Sequence, residues 1–394
     1  MRKSLSFIIL MIVCLSTYAQ KTNVKHEFRF AENQVKLMLH EIKNQSPVSN
    51  EVSPRTLENG KLKLSDSGDW TSGFFPGILW YLYEYTGDKK WSSEAEKFTA
   101  NLKNQEYNKG THDLGLMLYT SFGNGYRLTN DNNYKQVIIN AAKSLSTRFN
   151  PKAGVIKSWD HREDLWTYPV IIDNMMNLEL LFEATKLSGD SSFYNIAVQH
   201  ANNTLKNHFR KDYSSYHVVD YNPKNGTVIK KTTHQGYSNE SSWSRGQAWG
   251  LYGFTMCFRE TGDSTYLKQA EHIANYILTS PKIPKDMIPY WDYDDPAIPN
   301  APRDASAAAI TSSALFELAS QTKSTYYEEK AQKILESLSE HYKSPKNGDM
   351  GFILEHSTGH KPYNSEVDVP IIYADYYYIE ALLRSQKSYF KIDS

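Results

Sequence analysis

Apolar and polar positions alternate along most of this chain with the period of an α-helix. Val35, Leu39 and Ile42 share one helical face, as do Leu178, Leu181, Phe182 and Leu187, and later Ile273, Tyr276 and Ile277. Between such stretches one punctuation recurs. It reads Thr86-Gly87-Asp88-Lys89-Lys90-Trp91, then Thr129-Asn130-Asp131-Asn132-Asn133-Tyr134, Ser188-Gly189-Asp190-Ser191-Ser192-Phe193 and Thr261-Gly262-Asp263-Ser264-Thr265-Tyr266, with a degraded copy at Thr322-Lys323-Ser324-Thr325-Tyr326. Each copy reads as a helix–turn–helix corner. Gly or Asn adopts the left-handed conformation that ends one helix, Asp or Ser caps the next, and the aromatic packs back across the corner. Strand-like alternation is confined to pieces such as Ser215–Val219, and prolines gather in long loops such as Ser280–Pro302. The pattern predicts one all-α domain of repeated antiparallel hairpins. With no obvious polar capping repeats, a closed toroid fits better than an open solenoid. Such a ring leaves a central cleft at one end, walled by loops.

The N-terminus changes the picture of where the domain starts. Arg2 and Lys3 precede the apolar run Phe7–Val13, and small residues follow near Ala19 and Gln20. That is the anatomy of a secretory signal over residues 1–20, too short for a stable membrane span. Cys14 has no small residue just before it, so soluble export is expected rather than lipid anchoring. The domain then covers 21–394, and its one remaining cysteine, Cys257, has no partner for an intramolecular disulfide. Export without disulfides fits a bacterial periplasm.

Charge narrows the partners. The chain carries 44 basic and 44 acidic residues, and the mature form is slightly acidic once Arg2 and Lys3 are gone. Nothing in that balance attracts nucleic acid or an anionic membrane. The 28 tyrosines offer flat faces with hydrogen-bonding edges, which suits sugar rings.

One stretch concentrates such groups. Thr233–Gly253 packs Gln235, Trp243, Arg245, Gln247 and Trp249 together and runs into the apolar face of a helix. Arg245 and Trp249 stand at i and i+4, which predicts a cation beside an indole, suited to a ligand with a flat apolar face and an anionic edge. The alternative is a core tryptophan with a surface salt bridge.

The commoner catalytic signatures are missing. There is no HxxEH pattern, no cysteine pair and no G-x-S-x-G elbow; Gly123-Asn124-Gly125 has no following Gly-Lys, and the acids of Trp291–Asp295 lack the spacing of a calcium loop. What remains is two carboxylates in apolar surroundings: Asp113 in Thr111–Leu118 and Asp173 in Pro169–Met176. Each alone could be a helix cap. Two brought to one mouth of a ring would push one pKa up, leaving one acid protonated and one ionised, the condition for acid/base chemistry on a sugar.

On these residues the chain resembles glycoside hydrolase family 88, the unsaturated glucuronyl hydrolases, over nearly all of the mature sequence. The landmarks are Asp69–Gly77, His112-Asp113-Leu114-Gly115, Ile172-Asp173-Asn174 and Thr233–Gly253. The resemblance implies an (α/α)6 barrel, acting without metal or other cofactor on unsaturated oligosaccharides left by polysaccharide lyases. It implies Asp173 as general acid/base and Asp113 as its partner. His112, His217, Gln235 and Arg245 would be substrate-binding groups, with Trp70 and Trp249 stacking on or walling the sugar. Family members that prefer sulfated substrates carry an S-x-x-S-x-K pattern near the C-terminus. Here the equivalent, Ser365–Pro370, has Asp368 and Pro370 at the second Ser and the Lys, so an acid would face the sulfate and an unsulfated substrate is expected. Two other readings stand beside this one: an unsaturated rhamnogalacturonyl hydrolase of the same chemistry, and a non-catalytic periplasmic sugar-binding protein, which would need neither aspartate.

Overall fold

A computed structural model describes residues 22–45 and 51–387; the leader, the lipidation question at Cys14 and the proposed processing point lie outside them. Twelve α-helices are present among the described residues: α1 (Val24–Asn44), α2 (Phe74–Thr86), α3 (Lys89–Ala100), α4 (Asn124–Thr129), α5 (Asn132–Ser146), α6 (Leu178–Ser188), α7 (Ser191–Asn207), α8 (Ser244–Thr261), α9 (Ser264–Thr279), α10 (Ala305–Thr322), α11 (Thr325–His341) and α12 (Ile372–Gln386). A π-helical stretch, Gly115–Gly123, runs straight into α4, and a 3-10 turn, Ile172–Asn177, runs into α6.

The corners form as the sequence predicts. Gly87, Asn130, Gly189, Gly262 and Lys323 all take positive φ at the helix ends. Asp88, Asp131, Asp190 and Asp263 each accept the backbone N–H two residues on, and Ser324 accepts from Tyr327 N. In the degraded copy the aromatic that packs inward is Tyr327, while Tyr326 is exposed. These five corners make five hairpins, each an inner helix followed by an outer one.

The sixth pair has no corner because the two ends of the chain supply it. Inner α12 packs between α10 and α2, closing the ring, and N-terminal α1 lies outside it. Glu27 of α1 is buried and accepts Lys343 Nζ at 2.8 Å and the Tyr378 hydroxyl at 2.9 Å, which fastens the outer helix to α12. The inner helices α8, α10 and α12 are buried on nearly every face, while α3, α5 and α9 bury one stripe only. That division is what a two-layered ring requires.

Among the described residues the structure adds four small antiparallel sheets to the all-α frame: β1 (Glu51–Glu58) with β2 (Lys61–Asp66), β3 (Phe149–Asn150) with β4 (Val155–Ile156), β5 (Pro169–Ile171) with β6 (Val218–Tyr221) and β7 (Val228–Thr232), and β8 (Ser357–His360) with β9 (Ser365–Val369). The last two sheets stand at the N-terminal ends of the inner helices and wall the cleft there.

Candidate active site

All the inner helices enter this mouth by their N-termini, where free N–H groups and the helix dipole favour an anionic ligand. Two of the entries carry the acids. Gly115 sits so close to Asn177 that an added Cβ would lie 2.5 Å from the Asn177 Cα, and Leu116 N donates to Asn177 Oδ1 at 3.0 Å. This glycine lets the Gly115 and Ile172 segments clasp. The clasp brings Asp113 and Asp173 into one pocket, near enough that the charge of Asp113 raises the pKa of Asp173. Neither acid is a helix cap: the Gly115 and Ile172 segments both lack a side-chain cap hydrogen bond.

Asp173 is largely buried and its pKa is pushed up to about 7, chiefly by burial. The positive charge of Arg245 works against that rise, and the indole N–H of Trp249, which has no other acceptor, favours the ionised form. His217 holds the other side. Its Nδ1 accepts the backbone N–H groups of His234 and Gln235 at 3.0 and 3.1 Å, so the neutral ring carries its proton on Nε2, 3.7 Å from Asp173 Oδ2. Burial keeps the His217 pKa well below the ordinary value. Asp113 is held differently: Thr111 Oγ1 donates to Oδ2 at 3.2 Å, and His112 Nε2 lies 3.2 Å from Oδ1.

Several residues expected to touch substrate turn out to stand behind the wall. His112 is buried against Asp113, behind the pocket wall. Trp249 has no exposed surface; it packs edge-to-face on Tyr377 and offers only its N–H. Arg245 is 1% exposed and committed to Asp304 Oδ2 at 2.9 Å and to the carbonyls of Thr358 and Gly359. Its guanidinium lies 4.5 Å over Trp243 and 5.3 Å over Tyr373, so the indole beside the cation is Trp243 rather than Trp249. Arg245 therefore acts on the pocket as a buried charge and as a staple between α8, the α10 cap and β8, not as a hand for a uronate. Trp70 and Gln235 remain half-buried at the mouth, Trp70 against Tyr373 and Gln235 donating to Gly359 O at 3.3 Å.

The loops contribute an aromatic rim that sequence reasoning passed over. Trp159 packs against His217, His234 and Trp166, and His234 in turn meets His360 and Tyr363. His360 stacks on Tyr363 at 4.3 Å. Burial holds His234 and His360 at about 4, so both rings are neutral near pH 7. The residues come from three loops far apart in sequence; the only local hint is the density of His, Trp and Tyr within Trp159–Trp166 and His356–Tyr363.

The acids of the C-terminal loop do not stand free. Glu366 is held by Arg55, which also pairs with Asp69, and Asp368 lies 2.7 Å from His356 Nδ1. The repulsion of a sulfate read from sequence is therefore blunted, because these carboxylates already face cations or a titratable ring.

A ring of six helical pairs with two unequal carboxylates and an aromatic rim at one mouth defines a carbohydrate-processing enzyme. The chain belongs to Glycosyl Hydrolase Family 88, whose model matches residues 43–387. It is 48% identical over 373 residues to the unsaturated glucuronyl hydrolase of Formosa agariphila, covering 93% of this chain and 92% of that one. Among solved structures it is similar to an unsaturated glucuronyl hydrolase specific for heparin (46% identity, TM-score 0.88, 92% of this chain and 97% of that one). It is also similar to the Bacillus sp. GL1 enzyme responsible for the degradation of glycosaminoglycan (32% identity, TM-score 0.83, 91% and 96%).

Proposed function

We propose that this protein removes the terminal 4,5-unsaturated uronic acid from lyase-generated glycosaminoglycan oligosaccharides, by hydrating the C4=C5 double bond. The observation that carries the reading is a carboxyl group poised near neutrality, Asp173, beside a second acid in a pocket ringed by helix N-termini.

The chemistry follows from those two states. Protonated Asp173 delivers its proton to C4, and positive charge develops at C5 and the ring oxygen. Asp113 stabilises that charge electrostatically. The Asp173 carboxylate then takes a proton from water as its oxygen adds to C5. The resulting hemiketal opens, and the aglycone leaves from C1. His217 Nε2–H supports the carboxylate in the half-reaction where it is ionised. Trp70 and the rim around Trp159 offer flat faces to the sugar.

The mature protein works outside the cytoplasm on this reading, because residues 1–20 have the anatomy of a cleaved leader. Mass spectrometry of the mature N-terminus in the native host tests that part.

A substrate panel tests the activity. Unsaturated heparin, chondroitin and rhamnogalacturonan disaccharides are each followed by loss of the absorbance of the conjugated double bond. Turnover of the glucuronyl substrates that disappears in Asp173→Asn is expected. Wild-type rates in that variant, or turnover of the pectin fragment alone, would overturn the proposal.

A further inference from the structure

The barrel has a second mouth. At the C-terminal ends of the inner helices lies a cavity of about 540 Å³, its wall including Tyr81, Tyr119, Tyr252, Tyr376 and Tyr377. It is separated from the catalytic pocket by one layer of side chains: Leu116 follows Asp113 by three residues, Met176 follows Asp173 by three, and Tyr377 leans on Trp249. Its volume is that of small-molecule sites generally.

Its chemistry says which molecules fit. Every charge in the wall already has an opposite neighbour. Arg259 bridges Glu179, Glu260 and Glu317; Arg384 holds Glu317 at 2.8 Å; Arg127 holds Glu84 at 2.6 Å; Lys186 holds Glu260 at 2.6 Å. A charged ligand would have to break one of these pairs, several of which are buried and costly to leave unpartnered. Three of the tyrosine hydroxyls are also spoken for: Tyr81 and Tyr252 donate to Glu380, and Tyr376 bonds Tyr81. The hydroxyls of Tyr119 and Tyr377 have no hydrogen-bond partner among the described residues, although Tyr377 is only 2% exposed. Both hydroxyls open onto the cavity rather than into the core, so each is a donor and an acceptor free for a ligand.

We propose that this second mouth is a binding site for a neutral, polyhydroxylated ligand of mono- to disaccharide size, held by the hydroxyls of Tyr119 and Tyr377 and by the partly exposed ring of Tyr119. Such a ligand satisfies the two open hydroxyls, can lie against the Tyr119 ring, and leaves the ion pairs intact. The site is independent of the chemistry at the opposite mouth.

The test is saturation-transfer NMR of the full chain with N-acetylglucosamine and with maltose, repeated on Tyr119→Phe, Leu383→Trp and Asp173→Asn. Leu383 lines the cavity, so the tryptophan fills it. Transfer to at least one probe is expected, weakened by roughly a factor of ten in Tyr119→Phe, lost in Leu383→Trp and retained in Asp173→Asn. No transfer to either probe, or transfer that survives both cavity variants, overturns the site. Transfer that disappears in Asp173→Asn places the sugar in the catalytic pocket and overturns it equally. If Leu383→Trp does not fold, Tyr119→Phe decides alone.

Discussion

His217 presents its Nε2 to Asp173 Oδ2 at 3.7 Å, and it does so in a fixed tautomer because His234 and Gln235 both donate to Nδ1. The ring is thus a neutral N–H dipole pointed at the carboxylate from just beyond direct hydrogen-bond reach, an arrangement that favours the ionised form without adding charge. Replacing it by Phe keeps the aromatic volume and deletes the donor. His217→Phe is expected to raise the Asp173 pKa further and to lower kcat by roughly ten- to a hundredfold. A pH–rate profile whose limb stays in place would show that the histidine only fills space.

The pH dependence of the wild type follows from the same group. Asp173 must be protonated in the free enzyme to deliver its proton, and its pKa is about 7. Below that value kcat/KM should be flat on account of this group, and above it the value should fall about tenfold per pH unit. Initial rates with a saturation-independent substrate concentration series from pH 5 to 9 check this. A rise of kcat/KM through pH 7 would mean that Asp173 enters as a base.

The raised pKa also costs stability. The folded state binds the Asp173 proton more tightly than the unfolded chain, where an aspartate has its ordinary value of 3.8. Stability is therefore lost as pH rises from about 4 to about 7 and stays lost above. Asp173→Asn removes that burden: it should be more stable than wild type at pH 8 by up to about 4 kcal/mol. The gap should close towards pH 4. Denaturant unfolding at pH 5 and pH 8 measures it, and an Asn variant no more stable at pH 8 would show that the carboxylate is well solvated.

Much of this was legible in sequence, and the rest was hidden for a physical reason. The corners were readable because Gly87, Asp88 and Trp91 act within a few residues of one another. The acids were readable because Asp113 and Asp173 sit among apolar neighbours in their own segments. The sixth hairpin was not, since α1 and α12 meet only when the ring closes. Arg245 and Trp249 were expected to meet the sugar because their i, i+4 spacing sets them side by side, but spacing along a helix does not say which layer of the ring it occupies; α8 lies in the inner ring and is buried on every face from Ser244 to Cys257. The rim of Trp159, His234 and His360 depends on three loops converging, which no local pattern encodes.

Arg245 and Asp304 form a buried pair at 2.9 Å with almost no solvent on either side. Asp304 also caps α10 through Oδ1, accepting from Ser306 N and Ala307 N. Asp304→Asn keeps the cap geometry and leaves the guanidinium without a counter-ion. The expected cost is about 3–5 kcal/mol of stability. The uncompensated cation should also draw the Asp173 pKa down, moving the fall in kcat/KM to lower pH. A variant destabilised with an unmoved pH limb would confine Asp304 to a scaffolding role.

The corners make the last prediction, and it separates conformation from contact. Gly87 holds φ +68 with open space where a Cβ would go, whereas Lys323 holds φ +58 in the equivalent place with a side chain. Both positions need the left-handed conformation that ends the helix, which an L-residue adopts at a cost of about 1 kcal/mol. Gly87→Ala should therefore destabilise by about 1 kcal/mol although the added methyl meets nothing, and Lys323→Gly should stabilise by a similar amount. Thermal melting of the two variants beside wild type measures both signs. A neutral Gly87→Ala would mean that this corner tolerates a different helix ending, and the shared geometry of the five corners would not be what sets their sequence.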